Sequence, residues 1–119
     1  MTGTTQQEAG RLSLRLREAA SGASLEAAEI ARVVGSDPRT VSRWLADEAA
    51  PRSAARERLL ELIAVLERLA AVLRSSAAHD WLFTPNPELD NHKPVDLLGR
   101  GEFRGVLGAI DALTEGVFV

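Results

Sequence analysis

Cysteine is absent from the 119 residues. Disulfides, thiolate metal sites and a thiol nucleophile are therefore excluded, and the composition fits a reducing cytosol. A basic surplus is missing as well. Fourteen Lys and Arg stand against 17 Asp and Glu, giving a formal net charge of −3. A globally basic nucleic-acid binder is not indicated. Lysine itself is nearly absent: Lys93 is the one example beside 13 arginines. No apolar run approaches the roughly 20 residues that a bilayer-crossing helix needs. Met1 to Gln7 is polar and lacks the basic start of a secretory signal, so a cytoplasmic location is expected. Neither strand-like alternation nor a repeat or low-complexity tract occurs. A glycine-rich phosphate loop, an activated nucleophile and paired metal-ligand spacing are also lacking. His79 and His92, 13 residues apart, do not supply that spacing. Catalysis by this chain, a cofactor and a metal are not expected.

What is present is 45% hydrophobic and 26% charged residues, enough to build one compact domain or two very small ones. The pattern is helical nearly throughout, so the fold class is all-α. "TTQQEAGRLSLRLREAASGAS" places Leu12, Leu16 and Ala19 on one stripe and stops at "SGAS". Ser24 is positioned to cap a second helix, "LEAAEIARVV", which Gly35 ends. Asp37 followed by Pro38 is a cap with a first-turn proline and opens a third helix, "PRTVSRWLADEA". After Pro51 a long helix spans roughly Ser53 to Arg74. It carries two adjacent apolar stripes: Leu59, Ile63, Leu66, Ala70 and Leu73, then Leu62, Val65, Leu69 and Val72. Two stripes imply burial on two sides, either inside the chain or at a seam with a second copy. Beyond Ser75 the segments shorten around prolines. "VDLL" between Pro94 and Gly99 makes a one- to two-turn helix. A last helix spans roughly Glu102 to Glu115, with Phe103, Val106, Leu107, Ile110 and Leu113 on its apolar face and Gly116 as its left-handed stop.

The second and third helices fit a helix-turn-helix. Ile30, Ala31, Val34, Gly35, Val41 and Trp44 stand at the usual offsets. Gly35 provides the positive backbone angle of the tight turn. Arg39, Thr40, Ser42 and Arg43 are left towards solvent near the start of the third helix, where recognition helices meet base edges. They are the candidate DNA-binding residues. Asp37 beside them opposes phosphate contact, and a helical hairpin that only packs is the competing reading. Arg52, Arg56 and Arg58 either contact a nucleic-acid backbone or pair with Asp47, Glu48, Glu57 and Glu61. Trp81 and Phe83 read as core. Asn86, between Pro85 and Pro87, reads as a rigid turn as well as a contact; Lys93 faces a partner or solvent. The chain divides into a helix-turn-helix part (1–52), a connecting helix (53–76) and a C-terminal module (77–119).

The C-terminal stretch "WLFTPNPELDNHKPVDLLGRGEFRGVLGAIDALTEGVFV" resembles the toxin-binding domain of Xre/MbcA/ParS-type antitoxins, above all its MbcA-type members. The likeness runs through "TPNPELDNHKPVDLL", "GEF" and "DALTEGVFV", and the order of parts is the family's. The resemblance implies an antitoxin whose partner is a RES-domain toxin that consumes NAD⁺. Family antitoxins place their C-terminal end at the mouth of the toxin's NAD-binding cleft. By that likeness Gly116, Val117, Phe118 and Val119 form a plug, with Asn86, Pro87 and Lys93 as further toxin-binding residues. It also implies a homodimer, larger assemblies with toxin, and operator DNA as a second partner. A stand-alone helix-turn-helix transcription regulator is the alternative.

Overall fold

The computed structural model describes the backbone of residues 2–117 and the side chains of residues 10–115. Among the described residues seven α-helices follow one another: α1 (Thr2–Ser21), α2 (Ala27–Val34), α3 (Pro38–Leu45), α4 (Ser53–Ala70), α5 (Ser75–Leu82), α6 (Pro94–Gly99) and α7 (Phe103–Val117). A single 3₁₀ turn, Pro87–Leu89, lies between α5 and α6. The described residues contain no strand, only an isolated antiparallel bridge between Asn86 and His92. The all-α class is as expected. No helix among the described residues is long and apolar enough to cross a membrane.

α4 is the centre. Leu59, Leu62, Ile63, Val65, Leu66 and Leu69, drawn from both of its stripes, are buried within the chain. α1 and α2 pack on it, and so do α5 and α7. Internal packing thus accounts for the double stripe. The buried residues form one continuous cluster from Leu16 in α1 to Ile110 in α7. The helix-turn-helix part and the C-terminal module accordingly share a core.

Local chemistry explains the breaks. α2 ends where Gly35 adopts φ 74° and its N–H donates to the Ala31 carbonyl. Ala31, buried at the crossing, lets α3 approach. α3 starts as its sequence dictates: the Asp37 carboxylate accepts from the Thr40 N–H, and Pro38 occupies the first turn. Its face towards the core carries Val41 and Trp44, both buried.

Five boundaries differ from the sequence reading. α2 begins at Ala27, because Glu26 and Glu29 form a reciprocal capping box; Ser24 instead turns the chain at φ 52°. α3 stops at Leu45 and does not continue to Ala49. There Asp47 takes a left-handed conformation at φ 58°, and the Glu48 N–H closes back on the Arg43 carbonyl at 2.8 Å, a closure of the Schellman type. The orphan carbonyl of Leu45 is covered from α1 by Arg17 Nη1 at 2.9 Å and the buried Ser13 hydroxyl at 3.3 Å. α4 ends at Ala70, four residues early, and Ser75–Leu82 is a separate helix, α5, that the sequence reading did not define. Finally, α7 runs through Gly116 to Val117, so Gly116 is not its left-handed stop. Glycine permits a positive φ without requiring one.

Two substitutions separate conformational from packing stability. Nothing lies within 4 Å of a Cβ at Gly35, so Gly35→Ala loses only the left-handed allowance, about 1–2 kcal/mol. Leu66→Ala, at a site 1% exposed, is expected to lose about 2–5 kcal/mol. Urea unfolding checks both, with the midpoint falling and the slope unchanged.

Candidate binding surfaces

The loop from Thr84 to Lys93 is built around Asn86. Its side-chain oxygen accepts from the Glu88 N–H at 2.9 Å, opening the 3₁₀ turn. Its own carbonyl accepts from the Leu89 and Asn91 N–H groups, both at 2.9 Å, while its N–H donates to the His92 carbonyl at 3.0 Å. Asp90 and Asn91 turn the chain back with φ of 53° and 65°. His92 joins the same lock: its Nδ1 lies 2.9 Å from the Leu89 carbonyl. A carbonyl only accepts, so Nδ1 carries the proton. Leu89 points inward and is buried. The turn reading of Asn86 therefore holds, and it leaves Pro87 exposed at the loop's outer edge.

Asn86 and Pro87 border a groove of about 500 Å³, whose other walls include Trp81, Leu73, Ala77 and Leu113. Leu113 belongs to α7, one turn before its last residue, Val117. The groove thus brings two of the sequence-predicted residues beside the final turn of α7. Lys93 is exposed at the entrance to α6, where its carbonyl receives the Asp96 N–H at 3.0 Å. Gly116 and Val117 are described as helix backbone only, and Phe118 and Val119 lie outside the described residues. Trp81, read from sequence as core, is half-buried and lines this groove. What hid that role was α5: without the helix Ser75–Leu82, the face Trp81 shares with Ala77 is not apparent. A second groove, about 650 Å³, runs between α4 and α7, floored by Ile110 and Leu107 and spanned by the Arg68–Asp111 ion pair. Gly108 borders open space, and a Cβ at Gly105 would make only ordinary contact with Leu89. Neither glycine admits a close helix within the chain.

On the opposite part, Arg39, Ser42 and Arg43 are exposed on α3. Thr40 is half-buried and committed to Asp37, to which both its N–H (2.8 Å) and its hydroxyl (3.1 Å) donate. Those two bonds hold the Asp37 carboxyl below the usual carboxylate range, so a negative charge stays at the start of α3. Arg58 is not aimed at this face. It serves α6, donating to the Leu98 and Gly99 carbonyls, and lies 4.0 Å from Glu61.

Two side-chain contacts tie α2 to the C-terminal module. Arg32 reaches Asp96 of α6. His79 Nε2 of α5 lies 2.9 Å from Glu29 Oε2, and its ring stacks on Phe83 at 4.6 Å. Glu29 Oε1 meanwhile accepts from the Glu26 N–H. Partial burial pushes the Glu29 carboxyl up, but the bonds from Glu26 and His79 outweigh it, and its pKa is lowered from 4.5. Among the described residues no group of three His, Cys, Asp or Glu is arranged to hold a metal.

A helix-turn-helix pair and a helical C-terminal module packed on one core define a small all-α protein. The family described as "Antitoxin Xre/MbcA/ParS C-terminal toxin-binding domain" matches residues 61–116. The mycobacterial cidal antitoxin MbcA of Mycobacterium tuberculosis (strain H37Rv) is 44% identical over 91 residues, covering 76% of this chain and 80% of that protein. A probable mycobacterial cidal antitoxin of the same strain is 28% identical over 91 residues, covering 76% and 77%. The fold superposes on a chain of the crystal structure of the M. tuberculosis MbcT–MbcA toxin–antitoxin complex with a TM-score of 0.81. The identity there is 40%, over 91% of this chain and 97% of that one. The chain belongs to the Xre/MbcA/ParS antitoxin family.

The Glu29 carboxylate sets a pH expectation. Its folded pKa is depressed, so the stability it contributes is complete above the ordinary value of 4.5 and is lost as pH falls below it. Glu29→Gln should be the less stable protein at neutral pH and should lose less stability than the wild type on acidification. Urea midpoints across a pH series measure this; parallel curves would contradict it.

Proposed function

We propose that this chain is the antitoxin of a toxin–antitoxin pair. It binds a RES-domain toxin and blocks NAD⁺ degradation by occluding the toxin's active site with its C-terminal end. The observation that carries the reading is the 44% identity with MbcA over three quarters of the chain. The likeness to a chain of the MbcT–MbcA complex supports it. The chain acts sterically and performs no catalysis.

The parts divide the work. The helix-turn-helix part (1–52) and the connecting segment (53–76) carry the module (77–119), whose Asn86 and Pro87 contact toxin beside the last turn of α7 and whose Lys93 contacts it from the entrance to α6. Gly116, Val117, Phe118 and Val119 enter the cleft. Burying Val117, Phe118 and Val119 yields several kcal/mol gross at about 1.5–3 kcal/mol per large apolar side chain, less the cost of ordering them. Occlusion of a substrate entrance needs a shaped apolar object held at a fixed place, and an apolar tip on a helix packed along α4 meets that need.

Operon autoregulation is the second part of the proposal, favoured by the geometry of α2 and α3 with Arg39, Ser42 and Arg43 exposed and Thr40 beside them. Dimers of this chain would match paired half-sites. The Asp37 charge weakens phosphate contact, so retention on DNA should be lost at moderate salt.

Deletion of residues 116–119 is the test. Purified cognate toxin mixed with the truncated chain should regain NAD⁺ consumption while the two still co-elute. Full inhibition by the truncated chain would remove the plug from the mechanism. For the DNA arm, Arg39→Ala combined with Arg43→Ala should abolish a shift of the operon's own upstream DNA and leave toxin binding intact.

A further inference from the structure

We infer that Arg58 is a positioning residue for inhibition: from α4 it fixes the corner between α6 and α7 and thereby the direction in which α7 delivers its tip. The inference rests on the proposed occlusion of a toxin cleft by the C-terminal end.

Three observations converge on this side chain. Its Nη1 donates to two successive carbonyls at the end of α6, Leu98 at 3.2 Å and Gly99 at 3.0 Å. A guanidinium at a helix C-terminus satisfies orphan acceptors and lies at the negative end of the helix dipole. The same guanidinium covers the corner itself. Gly101 turns the chain at φ 82°, and a Cβ there would lie 3.2 Å from Arg58 Nη2. The corner therefore lies against the arginine, and a side chain at Gly101 would push the guanidinium aside by a few tenths of an ångström. Finally, α7 starts two residues later, at Phe103.

α4 and α7 run side by side in the same direction. Arg58 holds the base of α7, and Arg68, ten residues along α4, pairs with Asp111 in its middle. Val106, Ala109 and Ile110 of α7 are buried in the core between these two points, and the two polar attachments add direction to that apolar contact. With 15 residues, α7 is about 22 Å long. Pivoting it by about 10° would carry its tip roughly 4 Å, enough to withdraw a side chain from a cleft it fits. The Arg68–Asp111 pair is exposed and holds weakly alone. The half-buried Arg58, bonded to two carbonyls, is the stiffer anchor.

The experiment titrates cognate toxin with wild-type chain, Arg58→Met and Arg58→Lys, reading both complex formation and the NAD⁺ consumption left at saturation. Arg58→Met keeps the aliphatic stem without donors; Arg58→Lys keeps the charge without the planar fork. The wild type should leave a residual rate near zero. Arg58→Met should bind within about threefold of the wild-type affinity, yet leave a residual rate at least about threefold above the wild-type plateau, with Arg58→Lys between them. A purely structural role would instead shift the binding midpoint and leave the plateau at zero, overturning the inference. Should Arg58→Met melt too low to assay, Arg58→Lys decides, and a wild-type plateau for it overturns the inference equally. If the wild-type chain itself does not inhibit, the proposed function fails and takes this inference with it.

Discussion

The burial of α4 on both sides governs the molecule. A helix with one apolar stripe needs one neighbour; α4 has two, and its six buried large side chains are covered by helices from both ends of the chain. This removes the freedom two small parts joined by a linker would have. Neither part has to build a separate core, which about half of 119 residues would do poorly. The exposed α3 face and the module's grooves are in consequence surfaces of one body.

Polar interactions add orientation more than stability. Most of the ion pairs are substantially exposed, and such pairs contribute about 0–1 kcal/mol each. Their placement is what matters. Arg32–Asp96 and Glu29–His79 link α2 to α6 and α5, and Arg68–Asp111 links α4 to α7. Each joins helices distant in sequence, and α2 with α6 and α4 with α7 already pack on each other, so there the pair selects one rotation among several apolar packings. Glu29 goes further, because one carboxylate both closes the cap of α2 and receives His79. Local helix initiation and long-range docking are thereby coupled at a single side chain.

The helix-turn-helix was legible because its signals are local. Asp37–Pro38 fixes a start through an N–H three residues away, and Gly35 fixes a stop through a backbone angle that needs no distant partner. The stripes of α4 and α7 were legible for the same reason, since 3.6-residue periodicity is written along the chain. α5 was not. Eight residues, "SSAAHDWL", have no side-chain cap and too few turns to display a period. They are helical because Ala78 and Leu82 complete the core. The early end of α3 was equally hidden, because Asp47 in a left-handed conformation has no signature as plain as glycine's.

The sequence alone determined that the class is all-α, which segments other than α5 are helical, and which family the C-terminal pattern resembles. Those properties rest on bonds and periodicities within a few residues. Tertiary structure decided that both stripes of α4 face the chain's own helices and that Trp81 borders a groove. It also brought Arg58, read from sequence as a phosphate contact or a partner of nearby acids, onto the carbonyls of Leu98 and Gly99, 40 and 41 residues away. Such outcomes depend on which distant groups arrive at the same place, and a linear pattern of residue types does not contain that.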